Sequence, residues 1–381
     1  MPATLFRLLR SFTCVAIVAT AGLKPVLGAE ETVVLRGTAA QVSIATAGGG
    51  IVEFRLADQQ LNPLNWEISD DLEPRVPGQP FLRGHFLCLD RWGAPSDAEA
   101  ARGVPYHGEA PRIAWQVTEA PKLTSGTVTA AMRCTLPLAG MQVARKVRLL
   151  DSAACLVVAE SVTNTAKLGR IYNMVQHPSI APPFLDESTV VDTNAREGFV
   201  QEGPIPESRD AASSWPEMNI GGQITDLRRY RNDPGGSTDH DVSSFVFDPA
   251  DEYGWVTACN PGAGLMVGYL WKTQEYPWLN LWRYRYQGDV AARGLEFGTT
   301  GYHQPFGALV RIGRILDRPL FAYLDAGETV DRTYAAFLFK VPADYRGVGN
   351  VVYENGMLSV VERGAASARP LCMEVGDLFG D

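Results

Sequence analysis

Short runs of β-branched, aromatic and aliphatic residues recur roughly every ten residues along this 381-residue chain, divided by Gly, Pro, Asn and Asp clusters. Helical periodicity is almost absent. Strand-like runs begin at 32–36, 41–46 and 51–56. They resume at 113–119, 127–136, 142–150, 154–163 and 168–176, then at 223–231, 243–248, 254–258 and 264–271, and close with 306–312, 320–324, 329–340 and 351–361. Residues 57–111 are mostly loop, with a short helix over 96–102 capped by Ser96. Such a pattern predicts an all-β chain, a large antiparallel β-sandwich. The 37 glycines and 25 prolines suit its turns. No shift in composition divides it, so residues 29–363 are expected to form a single domain, followed by a C-terminal tail, 364–381.

Arg7 and Arg10, an apolar run over 12–23 and small residues around Gly28-Ala29 have the form of a secretory signal occupying residues 1–28. The run is short for a bilayer span, although an uncleaved anchor is the other reading. The expected location is exported, periplasmic or secreted, with no membrane span after cleavage. Cleavage removes three basic residues and no acid, taking the net charge from −9 to −12. An acidic exported chain has no electrostatic reason to bind nucleic acid. Cys88, Cys134, Cys155, Cys259 and Cys372 are sparse and lack CxxC spacing. They indicate no zinc site and leave a single disulfide open.

Residues 276–305, YPWLNLWRYRYQGDVAARGLEFGTTGYHQP, concentrate the chemistry. Trp278, Asn280, Trp282, Tyr284 and Tyr286 alternate onto one face of a strand, and Glu296 stands alone among apolar neighbours in the next. A carboxylate there is either paired, with Arg283 or Arg293, or desolvated and fit for proton transfer. Aromatic rings beside an acid suit a sugar, whose C–H face packs on rings while its hydroxyls seek polar partners. Of the five histidines, His107 precedes Gly108 in a loop and His177 precedes Pro178 at a strand end. His240 follows Asp239. His85, His240 and His303 are expected to be structural or supporting.

Taken in order, Arg91, His107-Gly108, His177-Pro178, Asp239-His240 and Gly294-Leu295-Glu296 resemble the aldose 1-epimerase (galactose mutarotase-like) superfamily over essentially all of residues 29–363. Departures are Phe297 where the family has proline, Asp90-Arg91-Trp92 around the arginine with Arg83 as a rival, and no aromatic before Asp239. The resemblance implies a mutarotase-type supersandwich. It also implies an enzyme that interconverts sugar anomers by acid/base ring opening, with a monosaccharide or glycan as partner and no metal or cofactor.

Such a reaction needs a base for the anomeric hydroxyl and an acid for the ring oxygen. Glu296 and His177 are the expected catalytic pair. His107, Asp239 and Arg91 would hold hydroxyls, and Trp278, Trp282 and Trp92 would stack on the sugar. Two other readings stay open. One is a non-catalytic carbohydrate-binding protein. The other is a glycan hydrolase using Asp239 or Glu109 with Glu296, or a lyase using Arg283, Arg285 and Arg293. The sugar, its anomeric preference and the oligomeric state are open at this level.

Overall fold

The computed structural model describes residues 31–76, 78–364 and 370–380. The secretory-signal reading of residues 1–28 lies outside them. Two antiparallel sheets face one another. One runs in the order Thr32–Arg36, Ala40–Ala45, Ile51–Leu56, His85–Asp90, Arg170–Ile180, Asp289–Gly298, Trp278–Tyr286, Asp239–Val246, Glu197–Val200, Ser213–Ser214. The other runs Val190–Thr193, Tyr253–Asn260, Leu265–Lys272, Thr329–Lys340, Cys155–Asn164, Met141–Leu150, Thr127–Leu136, Gln116–Thr124. The all-β antiparallel expectation holds. Among the described residues, no helix is long and apolar enough to cross a membrane.

Strand alternation sorts the side chains of the central strands. Leu87 and Leu89, Tyr172 and Met174, Leu279 and Leu281, and Leu295 and Phe297 point between the sheets into the main core. Their neighbours Phe86 and Cys88, Val175, Trp282 and Tyr284, and Ala292 face outward, where they form or border a second cluster. The inter-sheet side also holds polar groups. The buried Arg145–Glu160 pair meets at 2.7 Å, Gln176 donates to Glu160 at 2.6 Å, and His85 contacts Gln176 at 3.2 Å.

Some elements differ from expectation. Residues 306–312, expected as a strand, form the helix Phe306–Ile312. Pro305 opens it, Gly313 closes it with φ 76°, and the three-residue spacing of Phe306, Leu309 and Ile312 puts one apolar face on the sheet. Residues 202–222, rich in Pro, Ser and Gly and outside every expected strand, contain the strand Glu217–Ile220, paired with Gln223–Asp226. Within the segment expected as a tail, Leu371–Glu374 is a strand paired with Met357–Val360. The helix near Ser96 spans Asp97–Ala100, with Glu99 and Ser96 forming a capping box. Among the described residues, the five cysteines are free, and all but Cys372 are buried.

Candidate active site

One cross-strand row carries the site. Phe86 lies opposite His177. The flanking pairs Gly294–Ser179 and Phe297–Gln176 put Glu296 opposite His177. Glu296 in turn pairs with Asn280, and Asn280 with Ser244. All five residues sit on the face turned away from the inter-sheet core, because each is in step with the alternation of its own strand. Phe86, His177 and Glu296 of this row floor a cavity of about 530 Å³ whose walls include Trp66, Trp92, Tyr106, His107, Gln201, His240, Trp282 and His303.

Glu296 Oε1 lies 3.1 Å from His177 Nε2. Its other oxygen accepts a hydrogen bond from Trp92 Nε1 at 2.6 Å. Burial pushes the Glu296 carboxyl well above the usual carboxylate range, and the indole N–H pulls it partly back. Burial pushes the His177 imidazole down to about 3. The dry setting therefore disfavours charge on both partners, and the pair holds a single proton over a wide pH range. Phe86 stacks on the imidazole at 4.3 Å and 19°. His177 Nδ1 lies 3.0 Å from Ser179 Oγ, a hydroxyl that can donate or accept and so suits either ring tautomer.

His107 sits on a turn with φ 63°. Its Nδ1 accepts from the Gly93 N–H at 3.1 Å, which leaves the proton of the neutral ring on Nε2. Its ring lies 5.2 Å from that of His177. Gly108 completes the turn at φ 78°, and a Cβ there would come within 2.2 Å of the Leu89 carbonyl oxygen. Only glycine fits so close to the strand that leads to Trp92.

Of the residues singled out in the sequence, Glu296, His177, His107, Trp282 and Trp92 line the cavity. Trp92 does so as a hydrogen-bond donor to Glu296 rather than as a stacking surface. Three others are elsewhere. Asp239 is exposed, accepts from Tyr230 at 3.0 Å and Ser237 at 3.2 Å, and lies near Arg285. The strand's period of two sends Asp239 away from the cavity and its neighbour His240 into it. Arg91 is buried in a two-pronged pair with Glu99 at 2.9 and 2.8 Å, beside Asp90 and Phe306. Burial raises the Glu99 carboxyl, but the Arg91 and Ser96 bonds outweigh it and bring it to about 2. Trp278 is fully buried under the helix Phe306–Ile312 and donates to the Pro319 carbonyl at 2.8 Å. It shares a face with Trp282 but stands about 13 Å further along the strand.

Neither expected arginine partner reaches Glu296. Arg283 holds Asp241 at 2.6 Å and Arg293 donates to the Leu227 carbonyl at 2.6 Å. Residues missed in the sequence include Trp66, whose ring meets Trp282 edge-on at 5.5 Å, and Gln201, which donates to Ser244 at 2.6 Å. His303 was expected only to support; it borders the cavity, with Nε2 3.2 Å from the Tyr106 hydroxyl. The one local signal for Tyr106 was its place directly before His107. Trp66 arrives from a loop whose course no periodicity reports.

No family model and no curated protein sequence matches the chain. Solved structures do. A galactose mutarotase-like protein from Clostridium acetobutylicum aligns with a TM-score of 0.57 at 14% identity, over 82% of this chain and 96% of that one. A galactose mutarotase related enzyme from Lactobacillus acidophilus aligns with a TM-score of 0.56 at 13% identity, over 82% and 98%. A galactose mutarotase-like protein from Lactobacillus casei gives 0.51 at 13% identity, over 81% and 100%. The chain has the galactose mutarotase-like fold, in a form far diverged in sequence.

Proposed function

We propose that the protein is an exported aldose 1-epimerase-like enzyme that interconverts the anomers of a sugar. The observation that carries this reading is the Glu296–His177 contact, 3.1 Å long and buried at the floor of an aromatic-walled cavity. The anomeric hydroxyl and the ring oxygen are both bonded to C1, so they present themselves to two neighbouring groups such as these. With the pair's single proton shifted from Glu296 to His177, Glu296 takes the hydroxyl proton while His177 delivers one to the ring oxygen. The C1–O5 bond breaks, the open aldehyde rotates about C1–C2, and the ring closes on the other face as both protons return. The pair begins and ends with one proton. Trp92 favours the carboxylate form of Glu296, and Phe86 fixes the plane of the imidazole.

The cleavage readings find less support. Glu109 accepts from the Ala139 N–H at 2.6 Å and, like Asp239, does not line the cavity with Glu296. Arg283, Arg285 and Arg293 do not line it either. Export rests on residues 1–28 alone.

Polarimetry tests the proposal. Freshly dissolved α-D-glucose or α-D-galactose should relax to equilibrium rotation faster in the presence of the protein. No acceleration with either sugar would reject the reading and favour a binding protein. Trp92→Phe should lower the rate by on the order of 10–100-fold, through loss of a hydrogen bond to a charged group. Removing that donor raises the Glu296 pKa, so the alkaline limb of the rate profile should move to higher pH. An unmoved limb would show that the indole only fills space.

A further inference from the structure

The aromatic face of Trp278–Tyr286 does not stop at the cavity. Beyond Trp282 it continues through Tyr284, stacked at 5.7 Å and 13°, to Tyr286 at 6.4 Å. These two tyrosines wall a second depression of about 430 Å³, which shares Trp66 and Leu72 with the catalytic cavity and adds Asn65, Glu67 and Ser69. The two are parts of one cleft. From Trp282 to Tyr286 the stripe runs about 13 Å, longer than one sugar ring, and phenol and amide groups lie along it.

The charge of this cleft is one-sided. Among the described residues, no arginine or lysine lines either depression. Their lining acids are Glu67, Glu73, Glu202 and Glu296. The arginines that pair with two of these acids are committed to them: Arg112 grips Glu73 with both amino groups, and Arg75 donates to Glu67 at 3.1 Å. A phosphate or uronate would find no lining arginine or lysine to pair with it.

We infer that the cleft binds an uncharged reducing oligosaccharide, with its terminal sugar at Glu296–His177 and the adjoining residue on Tyr284 and Tyr286. The inference rests on the epimerase reading for which end enters the cavity, but its binding half can be tested without turnover. Calorimetric titration with glucose, cellotriose, maltotriose, laminaritriose and trigalacturonate supplies the measurement. At least one neutral trisaccharide should bind about tenfold more tightly than glucose, the scale of one or two good ring contacts, and trigalacturonate should not bind.

Tyr286→Ala should collapse the ratio of trisaccharide to glucose affinity, and Tyr286→Phe should restore it. Equal affinities for glucose and all three neutral trisaccharides would overturn the inference, as would a ratio unchanged in Tyr286→Ala or tight binding of trigalacturonate. Tyr286-dependent trisaccharide binding without acceleration in the polarimeter would remove the epimerase reading and leave the cleft standing. Glucose turnover with no gain from chain length would do the reverse.

Discussion

Glu296→Gln should reduce anomer interconversion on the order of 10²–10⁴-fold, the usual contribution of a positioned acid or base. The amide keeps the size of the carboxyl and an oxygen to accept from Trp92 Nε1, so the wall of the cavity is preserved. What it loses is the ability to take a proton from the anomeric hydroxyl. The variant should stay folded, because the substitution removes an ionisable group from a site where burial already disfavours its charge. Sugar affinity should change far less than rate. A variant that retains more than a tenth of wild-type rate would exclude Glu296 as the base. Lost rate with preserved binding would distinguish an enzyme from a binding protein on the same fold.

The β class was legible in the chain because period-two alternation and turn residues act locally. Glu296 was legible for a related reason: standing between Leu295 and Phe297, it had to be either paired or placed in a site. His177 was marked instead by its place before Pro178 at a strand end. Asp239 failed where alternation had to be counted to the residue: one step along the strand turns Asp239 outward and His240 inward. Arg91 failed because Glu99, eight residues on, competes for it from a helix end that also binds Ser96. Trp278 and Trp282 share a face but lie under different neighbours, since the helix Phe306–Ile312 covers only the first. That helix was itself hidden in a run of seven residues, too short for either period to prevail. Trp66 and Tyr106 depend on loop paths fixed by distant contacts.

Stability should fall steeply as the pH drops from 6.5 towards 4.5. Burial lowers the pKa of His85, His107, His177 and His303, to about 3 for His177, about 4 for His303 and well below the ordinary value for the other two. In the unfolded chain they titrate near 6.5. Their contribution to stability is thus fully present above that pH and is lost as the pH falls through the window below it. Glu296 works in the opposite sense. Its folded pKa is raised, so its contribution is present below the unfolded carboxyl value and lost as the pH rises through the folded one. Within the window, unfolding takes up four protons at the histidines and releases one at Glu296. A net uptake of three corresponds to a slope of about 4 kcal/mol per pH unit. Over the window this is a large part of the ~5–15 kcal/mol that stabilises an ordinary domain. Glu275 and Asp192, also raised by burial, blunt the slope near its lower edge. Urea unfolding midpoints measured from pH 7.5 to 5 give the slope directly. Glu296→Gln removes the released proton and should steepen it by about a third, independently of any sugar. A flat profile would mean that the histidines are already charged in the fold, and a slope unchanged in Glu296→Gln would mean that Glu296 is ionised there, so that the pair could not hold the single proton the mechanism requires.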